Sequence, residues 1–335
     1  MSEQTLRWGV LGCAAIAMRS VIPGMAHSRR GELLAVASRD IEKAKETARR
    51  FHVDRAYGSY EELLRDPDVD AVYIPLPNHL HKEWTIRAAE AGKHVLCEKP
   101  FAMDAAQAAD MVAACARAGV VLAEAFMYRH HPRYQQIRDL IDAGAIGELR
   151  GIHATFTFNS ANAKGNFRMD PAMGGGALYD IGVYPITVAR LLLGKEPEAA
   201  TVHALFSPEH GGVDMMAAGL LEFAGGTSMT FDCAMWAAYR NTLEVLGTDG
   251  RIEVPSAFIC EVEAPSVFYL TTNDGRREVQ MPAVDQFALE IDDFAASVLD
   301  RAPQRFAPSD AVANMKVLDA CLRSARTRTR VTIEG

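Results

Sequence analysis

Two short segments carry side chains able to move a proton. The first is Glu98-Lys99-Pro100, which directly follows the apolar run His94–Cys97. A lysine leaving the carboxyl end of a buried strand stands at the edge where open α/β sheets receive ligands, and Pro100 restricts the backbone that follows. The second is NFRMDPAMGGGALYDIGVYPI, residues 166–186. Gly174–Gly176 lead into a predicted helix, so backbone there can approach a ligand closely. Asp180 and Tyr184 are four residues apart and share one helix face, beginning one turn in. A carboxylate and a phenol on that face form a candidate acid/base pair. Each segment also has a plainer reading: Lys99 as a charge on an ordinary βα loop, and Tyr184 as a ring packed against a sheet.

Such groups need a scaffold, and the first part of it is Leu6–Ala17, LRWGVLGCAAIA. An apolar run ends at Leu11, Gly12 follows, and small residues lead into a helix pattern over Ile16–His27 that Pro23–Gly24 should bend. This is the strand–turn–helix opening of a dinucleotide-binding βαβ unit. Gly12 permits a turn with positive φ. Ala14 and Ala17 stand where G-x-G-x-x-G/A has its second and third small residues, Ala14 being a departure from glycine. With Ala15 and Ile16 they bring backbone N–H groups toward a pyrophosphate.

The second strand, Glu32–Ser38, ends in Ser38 and Arg39, with Lys43 one helical turn on. An acid at that strand end accepts from ribose hydroxyls. A hydroxyl and two cations suit a 2′-phosphate instead, so NADP(H) is expected over NAD(H). Asp40 then caps the helix Ile41–Phe51. Arg39 and Lys43 as plain surface charges is the alternative. The strand Asp70–Pro77 leaves the sheet at NHLH, which places Pro75, Leu76, Asn78 and His81 at the same edge as Glu98 and Lys99. These residues complete the expected cofactor site.

Strands and helices alternate up to about Phe126, including a capping box at Ser59 and Glu62, a terminating Gly92, and a cap at Asp104–Gln107. That half reads as a doubly wound parallel sheet. Beyond it, Gly151–Asn159, Asp214–Phe223, Thr227–Met235 and Thr242–Gly247 alternate with a period of two, indicating a large, mostly antiparallel open sheet. Helices are expected at Ala177–Leu193, about Phe287–Leu299 and Ser309–Thr327. The chain is therefore α/β: a Rossmann domain over residues 1–125 and a substrate-binding, oligomerising α/β domain over 126–335.

The 335 residues carry a formal charge of −8, with 49% hydrophobic and 23% charged side chains. That balance is globular and speaks against nucleic acid or an anionic membrane as partner. No run reads as a secretory leader or a membrane span, so a cytoplasmic protein is expected. The six cysteines form no C-x-x-C pair and read as small buried hydrophobes; no His/Cys/Asp set has zinc spacing, so no metal is expected.

The opening turn, PNHLH, AGKHVLCEKP and GGGALYDIGVYPI together resemble the glucose–fructose oxidoreductase, inositol dehydrogenase and MocA family of NAD(P)-dependent oxidoreductases, over nearly the whole chain. The resemblance implies that Lys99 and Asp180 line the active site. Tyrosine rather than histidine at 184 is similar to the glucose–fructose oxidoreductase, dihydrodiol dehydrogenase and sugar-ketoreductase branches. The expected activity is hydride transfer between nicotinamide and a carbinol or carbonyl carbon of a sugar or polyol. Lys99, Tyr184 and Asp180 are its catalytic residues, and Arg129, His130 and Arg168 join Tyr184 at the substrate. A homodimer or tetramer is expected through residues from about Gly151 to Thr272. A dinucleotide-binding regulator of the same fold is the competing expectation, and a metal-dependent hydrolase lacks its ligands.

Overall fold

The computed structural model describes residues 4–163 and 165–334. It divides into two units, Met1–His130 with Asp285–Val312, and His131–Val284 with Ala313–Gly335. The first cut falls a few residues beyond the expected one near 125. Residues 285–312, expected in the second domain, pack with the first.

In the first unit the elements run β1 (Leu6–Leu11), α1 (Ile22–His27), β2 (Gly31–Ala37), α2 (Ile41–Arg50), β3 (Arg55–Tyr57) and α3 (Tyr60–Leu64). They continue with β4 (Ala71–Ile74), α4 (His81–Glu90), β5 (His94–Glu98), α5 (Ala105–Ala118) and β6 (Leu122–Ala125). The strands form one parallel sheet in the order β3-β2-β1-β4-β5-β6. Strand order reverses between β1 and β4, which makes their carboxyl ends the ligand crevice of a doubly wound sheet. Leu6, Trp8, Val10, Val36 and Tyr73 are fully or almost fully buried, as strands covered on both faces require. The local signals act as read: Asp40 accepts from Glu42 N and Lys43 N, Ser59 from Glu62 N, and Asp104 from Gln107 N. The expected bend at Pro23 is replaced by a π-helical turn over Ala17–Val21. Proline has no N–H to give the turn before it, and the wider turn absorbs that loss.

The second unit opens with α6 (Pro132–Asp142), β7 (Leu149–Asn159) and α7 (Val183–Leu193). Seven strands follow: β8 (Pro197–Ser207), β9 (Val213–Phe223), β10 (Ser228–Ala234), β11 (Trp236–Gly247), β12 (Gly250–Val254), β13 (Ser266–Thr272) and β14 (Gly275–Met281). The chain closes with α8 (Gln286–Leu299), α9 (Pro308–Thr327) and β15 (Val331–Thr332). The nine-stranded sheet has the order β14-β13-β12-β11-β7-β10-β9-β8-β15, antiparallel throughout except for β10 beside β7. Ile152, Ala154 and Phe156 of β7 face inward and are buried. The 23-residue stretch Pro171–Leu193 is apolar and long enough to cross a membrane, contrary to the sequence expectation, but 89% of its most apolar window is buried inside the chain. It is the core helix of this unit.

α8 belongs to the first unit for a packing reason. A Cβ on Gly24 would stand 2.6 Å from Phe287 Cβ, so α1 and α8 touch backbone to backbone. The Trp8 and Phe294 rings meet at 5.0 Å between centroids.

Candidate active site

The nucleotide half of the site lies in the first unit. Gly12, at φ 111°, donates its N–H to Ala37 O at 2.8 Å. Only glycine adopts that φ without strain. Ala15 and Ile16 are exposed and Ala14 half-buried, so the start of the helix is open to a phosphate. Across the turn, Ser38 is buried and its Oγ accepts from Asp40 N at 3.2 Å, while Arg39 and Lys43 are exposed. Asp40 is committed to capping, which leaves no carboxylate where a ribose-binding acid stands. Open backbone beside two cations fits a dinucleotide carrying a 2′-phosphate. Tyr60 was not foreseen here: its hydroxyl lies 3.7 Å from where a Gly12 Cβ would stand. Burial pushes that phenol up and the neighbouring Arg39 pulls it down.

Lys99 is held from several directions. Its own N–H donates to Glu98 Oε2 at 3.2 Å, and Glu98 Oε1 accepts from the Tyr73 hydroxyl at 2.5 Å. The Lys99–Pro100 peptide is cis. Phe101 N donates to Glu124 Oε1 at 3.1 Å. His81, expected among the cofactor contacts, is fully buried, with Nδ1 2.9 Å from Pro100 O and Nε2 2.8 Å from Leu76 O. Burial pushes its pKa down to about 4. The ring thus sits between the β4 loop and the Lys99 loop, its one N–H given to one of the two carbonyls, rather than facing outward. Asn78 and Leu76 are buried in the same loop.

Asp180 and Tyr184, the expected acid/base pair, lie in the second unit. Gly175 N donates to Asp170 O at 2.9 Å and Gly176 N to Arg168 O at 3.0 Å, closing a tight glycine turn. A π-helical turn over Leu178–Gly182 then carries Asp180 into α7. Asp180 is 6% exposed and accepts from Arg168 Nε at 2.6 Å, so two residues expected at the substrate meet directly. Tyr184 is buried between Phe156 and Phe258, with ring centroids 5.2 and 5.3 Å away. Sequence reasoning missed both rings. The alternation of β7 is the signal that could have found Phe156 on the inward face, but Phe258 follows β12 in a stretch with no period to read.

Arg129 and His130, expected beside the substrate, have their polar atoms on carboxylates of the first unit. Arg129 Nη2 donates to Asp310 at 2.6 Å and its guanidinium lies 3.6 Å over the Phe306 ring. His130 Nδ1 sits 2.6 Å from Asp293. Both line a cavity with Glu290 and Phe294 on α8.

Residues 6–126 match the oxidoreductase family with an NAD-binding Rossmann fold, and residues 134–253 match the GFO/IDH/MocA C-terminal domain. The structure of KijD10, a 3-ketoreductase from Actinomadura kijaniata in complex with NADP and TDP-benzene, superimposes with a TM-score of 0.91 at 37% identity, covering 96% of this chain and 98% of that one. The D-xylose 1-dehydrogenase (NADP(+)) 2 of Haloferax volcanii is 36% identical over 98% of this chain and all of its own length. An aldose-aldose oxidoreductase from Caulobacter crescentus, solved with glycerol, has a TM-score of 0.89 at 28% identity over 98% of this chain and 100% of its own. With a family match over both units and full-length relatives at this identity, the chain belongs to the GFO/IDH/MocA family of oxidoreductases.

Proposed function

We propose that the protein is an NADP(H)-dependent oxidoreductase acting on a carbinol or carbonyl carbon of a sugar or polyol. The observation that carries this assignment is Lys99, pinned by its own strand end and the His81 tie at the carboxyl edge of β5, in a chain whose relatives use NADP on sugars. Gly12, Ala14, Ala15 and Ile16 would hold the pyrophosphate, and Ser38, Arg39 and Lys43 the 2′-phosphate. The bound nicotinamide gives or takes the hydride. Tyr184 gives its phenolic proton to the oxygen that becomes a hydroxyl in the reductive direction and takes it back in oxidation. Lys99 supplies positive charge that stabilises that oxygen while it is anionic. Asp180, held by Arg168, orients a neighbouring hydroxyl. The aromatic frame of Tyr184 keeps water from its ring and fixes its direction.

We further propose a cytoplasmic enzyme, supported by six cysteines without a disulfide, and a homodimer or tetramer assembled through the sheet face between Gly151 and Thr272. Turnover tests the activity. NADPH consumption is followed with a panel of keto-sugars, and NADP+ reduction with aldoses such as D-xylose, each repeated with the non-phosphorylated cofactor. Absence of turnover in every combination, with NADPH still bound, would turn the assignment toward a dinucleotide-binding regulator.

A further inference from the structure

The segment carrying Asp180 and Tyr184 begins without a cap of its own. Neither Ala177, before the π-helical turn, nor Gly182, before α7, offers a side-chain hydrogen bond to the first N–H groups. A first-turn N–H that no preceding carbonyl reaches needs another acceptor when it is buried. One acceptor comes from another element: Leu178 N donates to Asp214 Oδ2 at 2.7 Å, across 36 residues of sequence. Asp214 is 3% exposed and sits on β9 opposite Phe206, beside the bulge between Leu205 and Phe206.

Gly176 shows how closely this carboxylate is seated. The residue has φ 120°, and a Cβ there would overlap Asp214 Oδ1. The third glycine of the GGG run is therefore required by the acid below it as well as by its own backbone. Asp180 N in turn bonds Gly176 O at 3.0 Å, so the turn gripped by Asp214 is the turn that sets Asp180. We infer that Asp214 is a positioning residue, which clamps the start of the Asp180–Tyr184 segment and so aims both side chains. This rests on the assignment of Asp180 and Tyr184 to hydride-transfer chemistry. Burial pushes the Asp214 carboxyl up to about 7, with the Leu178 N–H the first contact drawing it down. An amide that keeps one acceptor oxygen is therefore a fair mimic, and a methyl group is not.

The test compares full-length wild type, Asp214→Asn and Asp214→Ala by three readouts. These are kcat and KM with D-xylose and NADP+, NADPH affinity, and backbone amide exchange at residues 177–184. In Asp214→Ala, kcat should fall about 10- to 100-fold, the scale of a small misplacement of reacting groups. NADPH affinity should be unchanged, because its binding elements belong to the first unit. Leu178 exchange should quicken about tenfold, as expected for one lost hydrogen bond. Asp214→Asn should restore kcat to within about threefold of wild type. The inference is overturned if Asp214→Ala keeps wild-type exchange at Leu178, if its kcat stays within about threefold, or if Asp214→Asn is as slow as Asp214→Ala. Should the alanine variant not fold, Asp214→Ser, one atom shorter than the native side chain, carries the same comparison. A wild type that turns over neither D-xylose nor any keto-sugar would remove the functional assignment instead, and Leu178 exchange would then decide the clamp alone.

Discussion

Hydride delivery to a carbonyl leaves negative charge on one oxygen, so the largest single-residue effects belong to the groups that answer that charge. Tyr184→Phe removes one hydroxyl and leaves the ring between Phe156 and Phe258 intact. Lys99→Met removes the charge and keeps the stem. Each variant should fold and bind NADPH with near-wild-type affinity, while turnover falls by about 10²–10⁴. If the two act as one unit, the double variant is little slower than the poorer single one. Turnover within a few-fold of wild type in both singles would take the acid/base roles from them. Arg39 has a separate task. It is exposed next to the Gly12 turn, and Asp40 is engaged with Glu42 N and Lys43 N. Arg39→Ala should reduce the NADP(H)-over-NAD(H) ratio of kcat/KM by about ten- to a hundredfold, the loss of one charge-assisted contact. An unchanged ratio would return Arg39 to the plain surface.

Among the elements, the loops that carry Lys99 pack around a buried histidine. His81 lies between Leu76 O and Pro100 O and, when neutral, donates its one N–H to one of these carbonyls; burial brings its pKa from the ordinary 6.5 down to about 4. A histidine whose folded pKa is depressed contributes stability that is complete above 6.5 and is lost as pH falls through 4. A shift of that size corresponds to at most about 3–4 kcal/mol. His131, pushed down to about 3, acts in the same direction. Urea midpoints at the two ends of that window should therefore fall less in His81→Gln than in wild type, and parallel losses would remove the histidine from the acid response. Such a tie was not legible in the sequence, where PNHLH shows only that the chain leaves β4 abruptly. The parallel sheet was legible because most of its strands lie in apolar runs closed by a capping or turn residue; the short edge strand β3, Arg55–Tyr57, was not found. Nor were β8, β12, β13 and β14. β8 starts at Pro197 and is rich in alanine, and β14 is GRREVQM, polar on both faces as an outer strand can be. The first half of β11 is hidden by the register shift between Trp236 and Arg240, which breaks the period of two. α8 was found but assigned to the wrong unit, because the glycine that seats it, Gly24, looked like a helix breaker. Lys99, Asp180 and Tyr184 stood out by type and place; the Arg168–Asp180 pair and the aromatic frame needed the fold.

At the scale of the molecule, the nine-stranded sheet has α7 against one face, and its opposite face is where we place assembly. An interface of the commonest kind would be an apolar patch in need of cover. This face is instead mixed: Leu205 and Leu246 are 46% and 39% exposed, and the same sheet carries charged ladders over β10–β14. Arg240 pairs with Asp232 at 3.1 Å, and Arg251 lies between Glu244 and Glu253 at 3.6 and 3.4 Å. Arg276 reaches Glu253 at 3.4 Å and covers the Tyr269 ring at 3.9 Å. Each exposed pair contributes little by itself. A two-fold axis, however, sets the same alternating signs of two copies against each other, which is how an isologous interface becomes self-complementary. The homodimer we propose is therefore polar and sensitive to salt, unlike one sealed by a hydrophobic patch. Light scattering at micromolar protein should show a dimer or a tetramer at low ionic strength, with dissociation promoted by salt as the Debye length shrinks. Glu253→Arg would leave three cations together on the ladder, so it should shift the protein toward monomer while the single-chain fold, followed by far-UV circular dichroism, is unchanged. A wild-type monomer at that concentration counts directly against the interface. A dimer indifferent to both salt and Glu253→Arg would move the interface to another surface.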